Sequence, residues 1–187
     1  MEKRQPGGIA PKLEMRVGHL IENLARALAL LGGFVLASFI VLTVVSITGR
    51  AFIFAGLGPV PGDFELVEVC SAFAVFSFLP WCQLKRGHVT VDLFVSKLSP
   101  RKLAFLSLIG NVLLSLVSSL ILWRLVLGTL DKQNYNETTF ILQFPLWWGY
   151  AACLVGGAVF VIVSIYTVWR SFNEMMGAGE QQMMGVH

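Results

Sequence analysis

Charge is scarce in this chain. Only 13% of its 187 residues are Asp, Glu, Lys or Arg, about half the share of an ordinary soluble domain, while 56% are hydrophobic. With a mean hydropathy of +0.73, a soluble globular protein is excluded. Fourteen basic residues against eleven acidic ones leave a net charge of +3, too small and too scattered for a nucleic-acid surface. Cysteine is sparse as well: Cys70, Cys82 and Cys153 form no C-x-x-C pair, which leaves no thiol relay and reads as structural. The three histidines, His19, His88 and His187, all fall outside the uncharged runs, so haem ligation between helices is excluded. No G-x-x-x-x-G-K-[ST] loop exists for a nucleotide phosphate. No catalytic group, metal site or cofactor is expected.

What is present is long and apolar. No charge occurs in 27–49, in 103–123 or in 138–169, and 69–84 becomes long enough when 64–68 supply its first turn. About 20 helical residues cross a hydrocarbon core of about 30 Å. The expected fold is an all-α integral membrane protein with four transmembrane helices, near 27–49, 64–84, 100–123 and 145–169, within a membrane domain over 13–172. Residues 1–12 and 173–187 are expected to be mobile ends. Continuous rather than alternating apolarity excludes a β-barrel. The first run exceeds the h-region of a signal peptide and lacks a small-residue cleavage site, so it is expected to be retained.

Basic residues set the orientation. Lys3, Arg4, Lys12, Arg16 and Arg26 precede span one, Lys85, Arg86, Lys97, Arg101 and Lys102 lie between spans two and three, and Arg170 follows span four. The other side holds Arg50, Arg124 and Lys132. This asymmetry places both termini in the cytoplasm. All five tryptophans (Trp81, Trp123, Trp147, Trp148 and Trp169) fall near span ends, as an aromatic belt requires.

Local chemistry trims the boundaries. The run Gly58-Pro59-Val60-Pro61-Gly62 is unsuited to helix, and Asp63 is a good N-cap for span two. Ser99-Pro100 reads as N-cap and first residue of span three, and Pro145 opens span four. Pro80 should kink span two or end its regular bonding, freeing the carbonyl of Phe76. Two stretches look amphipathic. Leu13, Val17, Leu20, Ile21, Leu24 and Leu28 form a stripe that would lie on the inner surface or extend span one. Val91, Phe94, Val95 and Leu98 predict a short interfacial helix.

Polar groups near spans are candidate functional positions. Glu65 and Glu68 share a face of span two, and Arg50 is the nearest opposite charge. An ion-pair clamp of Arg50 with either acid is one reading; the other leaves all three in headgroups and water. Ser107, Asn111, Ser115 and Ser118 form a polar stripe on span three. Gly33, between Ala29 and Ala37, and Gly157, with Gly149 and Cys153, mark helix-packing faces.

The run Lys85-Arg86-Gly87-His88-Val89-Thr90-Val91-Asp92 follows the acid-led second span. It resembles the R-G-H-[IV]-x-V-D signature of the small membrane subunit, the DctQ-like family, of tripartite ATP-independent periplasmic (TRAP) transporters. The resemblance spans roughly 20–172 and includes Arg50 at the end of span one, the Glu65/Glu68 opening and Phe144-Pro145-Leu146-Trp147. Gly87 permits a tight turn, and His88 and Asp92, four apart, would share a helix face and pin it along the membrane. The resemblance implies a scaffold in the bacterial inner membrane for a large multi-span permease subunit, served by a periplasmic substrate-binding protein. It further implies ion-gradient-driven import of a small acidic, carboxylate-type solute. Membrane lipid is the remaining partner; nucleic acid is not one. Alternatives are the small subunit of a tripartite tricarboxylate transporter, a four-span enzyme of MAPEG type, and a stand-alone small transporter. The missing internal repeat and the lack of charge at the bilayer centre discourage the last of these.

Overall fold

The computed structural model describes residues 11–85 and 100–184, with side chains described for 16–85 and 104–176. The segment 86–99, which holds Arg86, Gly87, His88, Val89, Val91, Asp92 and the expected interfacial helix, lies outside the described residues, as do 1–10 and 185–187.

The described chain is all helical. Helix α1 covers Pro11–Ala51, α2 Asp63–Leu84, α3 Pro100–Asn134 and α4 Leu146–Met184, with a 3-10 turn at Ile53–Ala55. Each contains a segment long and apolar enough to cross a membrane. At 22 residues, or about 33 Å, α2 matches the hydrocarbon thickness, while the other three extend beyond it.

The extensions have visible causes. The amphipathic stripe at the N-terminus continues α1 without a break. Ile21 and Ala25 pack with Leu84, Val159 and Val163, so this part of α1 is anchored to α2 and α4 rather than free to turn along a surface. Helix α3 runs past Arg124 because Leu125, Val126 and Leu127 resume the apolar pattern and no proline intervenes before Asn134. Past Trp169, α4 continues through Met184 on good helix formers such as Glu174, Met175 and Met176.

The helices associate in the order α1, α2, α4, α3, with α2 and α4 in the middle and α1 touching α4 more sparingly. Helix α4 is the most buried and α1 and α3 the least, so two long apolar flanks face outward. Small residues set the close contacts, as expected where lipid removes the hydrophobic drive between helices. Gly33 faces the Phe78 ring at ordinary contact distance, and the tighter glycine contact of α1 with α2 is one residue earlier. There a Cβ on Gly32 would lie 2.6 Å from the Ser77 Cβ. On α4, Gly149 receives Val69 of α2, Cys153 is buried, and Gly157 turns toward Leu122 of α3.

Pro80 is fully buried inside α2, and the helix continues to Leu84 rather than ending. Its missing N–H leaves the Phe76 carbonyl without the usual donor four residues on. Gly156 of α4 sits against that carbonyl: a Cβ there would be 2.7 Å from the oxygen and 2.8 Å from the carbon. The proline and the glycine act together, one exposing a backbone group and the other approaching it.

Gly156→Val should therefore destabilise the helix core by about 1–3 kcal/mol, because the obstacle is backbone and cannot rotate away. Gly110→Ala is the control, since nothing lies within 4 Å of a Cβ at that position. Thermal unfolding in mild detergent should separate the two variants.

Candidate functional site

The first turn of α2 gathers one end of the molecule. Gly62, at φ 74°, turns the chain into the helix, a left-handed conformation suited to glycine. Asp63 is the first helical residue rather than the N-cap. Its Oδ1 accepts the Phe64 N–H at 2.8 Å and its Oδ2 accepts the Ser46 hydroxyl at 2.5 Å. Ser46, fully buried on α1, also accepts the Val60 N–H at 3.2 Å, so one hydroxyl ties α1, the linker and α2 together.

Arg50 reaches Asp63, at 3.9 Å, not Glu65 or Glu68. The Arg50 side chain is 64% exposed, so the pair contributes little to stability. A residue-by-residue reading of the sequence pairs Arg50 with the glutamates on charge and span ends alone; Asp63 is the acid that the linker turn brings to the end of α1.

Glu65 does something the sequence did not suggest. It is 5% exposed, and its two carboxylate oxygens accept the N–H groups of Ile141 at 2.8 Å and Leu142 at 3.0 Å. The Thr139 hydroxyl and the Phe140 N–H also lie against it. These donors belong to the α3–α4 connection, which is shaped like a tight hairpin. Thr139 N–H bonds the Phe144 carbonyl, Leu146 N–H bonds the Glu137 carbonyl, and Lys132 pairs with Glu137 at 2.5 Å. Charged acceptors make stronger bonds than neutral ones, so this carboxylate is the main fastening of the loop. Glu68, one turn on, is exposed.

Beyond this fastening both connections present apolar side chains. Phe54 is 84% exposed and Phe140 92% exposed, with Phe52, Ile53, Leu57 and Ile141 also open. The hairpin is fastened to α2 by Glu65 while its tip is left uncovered. Leu142 turns inward onto Gly62.

A second polar constellation lies at the opposite end of α2. Gln83 Nε2 donates to Asn111 Oδ1 at 3.0 Å and to Thr167 Oγ1 at 2.9 Å. Asn111 Nδ2 donates to Ser171 Oγ at 2.7 Å, and the Thr167 hydroxyl donates to the Ser164 carbonyl at 2.8 Å. Gln83, Thr167 and Ser171 are buried, and the network joins α2, α3 and α4. Of the polar stripe on α3, Asn111 is the member that reaches across. Ser118 is buried and bonds its own helix at Ser115, and Ser107 is half-buried. Next to the network, Lys85 bonds Glu22 of α1 at 2.5 Å and lies 4.7 Å over the Trp81 ring. The R-G-H-V-T-V-D run begins one residue later.

Gln83 escaped sequence reasoning because it is an isolated polar residue near the end of its span, whereas Ser164, Thr167 and Ser171 stand at helical spacing on α4 and are a stripe that could have pointed to the network. Among the described residues no group of His, Cys, Asp or Glu is arranged to hold a metal ion.

Residues 39–174, well over half of the chain, match the family model described as Tripartite ATP-independent periplasmic transporters, DctQ component. Searches of curated proteins and of solved structures return no match.

Two outcomes follow from the geometry. Glu65→Ala should strand the Ile141 and Leu142 amides and cost about 1–3 kcal/mol, with faster hydrogen exchange confined to 139–144; Glu68→Ala should leave exchange there unchanged. A double-mutant cycle of Gln83→Leu and Asn111→Leu, read by unfolding in detergent, should give a coupling of about 0.6–1.7 kcal/mol, the range found for interhelical hydrogen bonds in membranes.

Proposed function

This chain belongs to the DctQ-component family of the TRAP transporters, and on that premise we propose how it works. It is a multi-pass small permease subunit of a transport system and not an enzyme, which sets aside the MAPEG-type alternative. In our reading it is a static scaffold for the large multi-span membrane subunit and helps to position the periplasmic binding protein. The assembly imports a small acidic, carboxylate-type solute by symport with an ion down its gradient. The subunit resides in the bacterial inner membrane with both termini in the cytoplasm.

One observation carries the scaffold reading. Glu65 is satisfied by amides of the α3–α4 connection, and Gln83, Asn111, Thr167 and Ser171 bond to one another across α2, α3 and α4, so these polar groups serve contacts within the subunit. What the subunit offers is surface: the outward flanks of α1 and α3 and the uncovered loop tips. A helical layer cross-linked by interior hydrogen bonds, with long apolar flanks, suits a part that stays still while another moves.

With the termini inside, the end carrying Asp63, Glu65 and Phe140 faces the periplasm. That orientation rests on the eleven basic residues gathered on the opposite side. The exposed Phe54 and Phe140 are then placed to meet the binding protein or the membrane surface beside it. His88 and Asp92, four apart in the sequence, are assigned to pinning the connection between α2 and α3 along the inner surface.

Affinity purification of the full chain from its native membranes in mild detergent tests the reading. One large multi-span membrane protein should be recovered at a fixed ratio, and a stable homo-oligomer lacking that partner would overturn the scaffold. In the same preparation, His88→Ala and Asp92→Ala should each lower recovery of the partner and solute uptake; if both left assembly and uptake intact, the pinning role would be wrong.

A further inference from the structure

Arg124 is an unusual residue in this layer. It directly follows the uncharged run 103–123 of α3 and stands seven residues, about 10 Å along the helix axis, before the next charge, Asp131. Gly128, one turn further on, packs against Tyr150, and Leu122 and Leu125 on either side of Arg124 reach Gly157, well inside α4. Arg124 is exposed, and among the described residues no acid lies within ion-pair distance, whereas Arg50 faces Asp63 and Arg170 faces Glu174. Its neighbour is the Trp123 ring, with the guanidinium 5.5 Å from the ring centroid.

A guanidinium at the border of an apolar span is costly to leave without a partner, and a headgroup anion can supply one. The surroundings indicate which anion. Arg124 rims an open groove of about 360 Å³ between α3 and α4, whose other walls are Leu120, Ile121, Leu125 and Tyr150. Nearly all of this wall is aliphatic or aromatic, suited to a hydrocarbon chain lying along the helices. The cation lines the groove beside the Trp123 indole, and Tyr150 contributes its ring, which also packs on Gly128. Long basic side chains and aromatic rings combine in this way at the headgroup level, where the charged tip reaches up toward phosphate while the stem stays in hydrocarbon.

We propose that the Arg124 groove is a binding site for an anionic phospholipid, its phosphate held by the Arg124 guanidinium and one acyl chain lying on Leu120, Ile121, Leu125 and the Tyr150 ring. A carboxylate from a partner protein would also satisfy the charge, but it would leave the apolar groove below it unfilled. The site belongs to this chain alone and does not depend on the scaffold reading.

The test is native mass spectrometry of the full chain, extracted with whatever accompanies it and exchanged against phosphatidylglycerol or phosphatidylethanolamine. The wild type should retain phosphatidylglycerol over phosphatidylethanolamine by about fivefold, the ratio expected for one basic side chain near the membrane surface. Arg124→Gln should abolish that preference and Arg124→Lys should restore part of it, while Arg50→Gln should leave it unchanged. Size-exclusion profiles and helix content matching the wild type establish that the variants are folded. An undiminished preference in Arg124→Gln would overturn the proposal. So would unchanged lipid retention together with loss of a co-purifying membrane protein, which would assign the groove to a protein carboxylate.

Discussion

A carboxylate buried against backbone N–H groups determines how one end of this molecule is built. Water would otherwise solvate both the Glu65 charge and the amides of Ile141 and Leu142, and neither has that option at the edge of a bilayer. Bonding them to each other removes both penalties at once. Because Glu65 sits in the first turn of α2, that bond also fixes where the α3–α4 connection lies relative to the centre of the layer. Asp63, two residues earlier, does the same for α1 through Ser46. Two acids in one helical turn therefore hold both connections at this end.

The same constraint shapes the other end of α2 with uncharged groups. Gln83 has two amide hydrogens and uses them on two different helices, while Asn111 passes the chain of bonds on to Ser171. Apolar packing alone discriminates weakly between helix registers in lipid, whereas a network of four side chains is satisfied in one arrangement. Between these polar ends the contacts are made by glycine: Gly149 and Gly156 on α4, Gly32 on α1. Helix α2 is thus tied at both ends and closely packed in the middle, and α1 and α3 are free to offer their flanks.

Much of this was legible in the sequence. Uncharged runs gave four spans, and Pro59 with Pro61, Pro100 and Pro145 marked where α2, α3 and α4 begin, because proline has few places inside a long apolar helix, whereas the start of α1 and the far ends of α3 and α4 run past the uncharged stretches. The freed carbonyl of Phe76 followed from Pro80 by covalent chemistry alone. Pairings were harder. Arg50 was matched to Glu65 or Glu68 by nearness along the spans, yet the partner was Asp63, since the linker turn rather than helix phase sets that meeting. Gly33 was singled out by its spacing, whereas the tight contact falls on Gly32, because a crossing angle, invisible in one sequence, decides which face meets the neighbour. Glu65 finds its donors 76 residues away, in a loop whose backbone shape depends on Asn136 and Gln143 at positive φ. No local pattern announces that.

The separations along the chain also order events in time. Ser46 and Asp63 are 17 residues apart and can bond as soon as the first two helices have left the ribosome. Glu65 must wait for residues 76 and 77 positions further on, about 4–15 s of synthesis at about 5–20 residues per second. Throughout that interval a newborn helical pair carries an unsatisfied acid at its membrane edge. Closure of the Glu65 bond is therefore a late event of biogenesis, and a truncated chain ending before Ile141 would display the open carboxylate as a mark of incomplete synthesis.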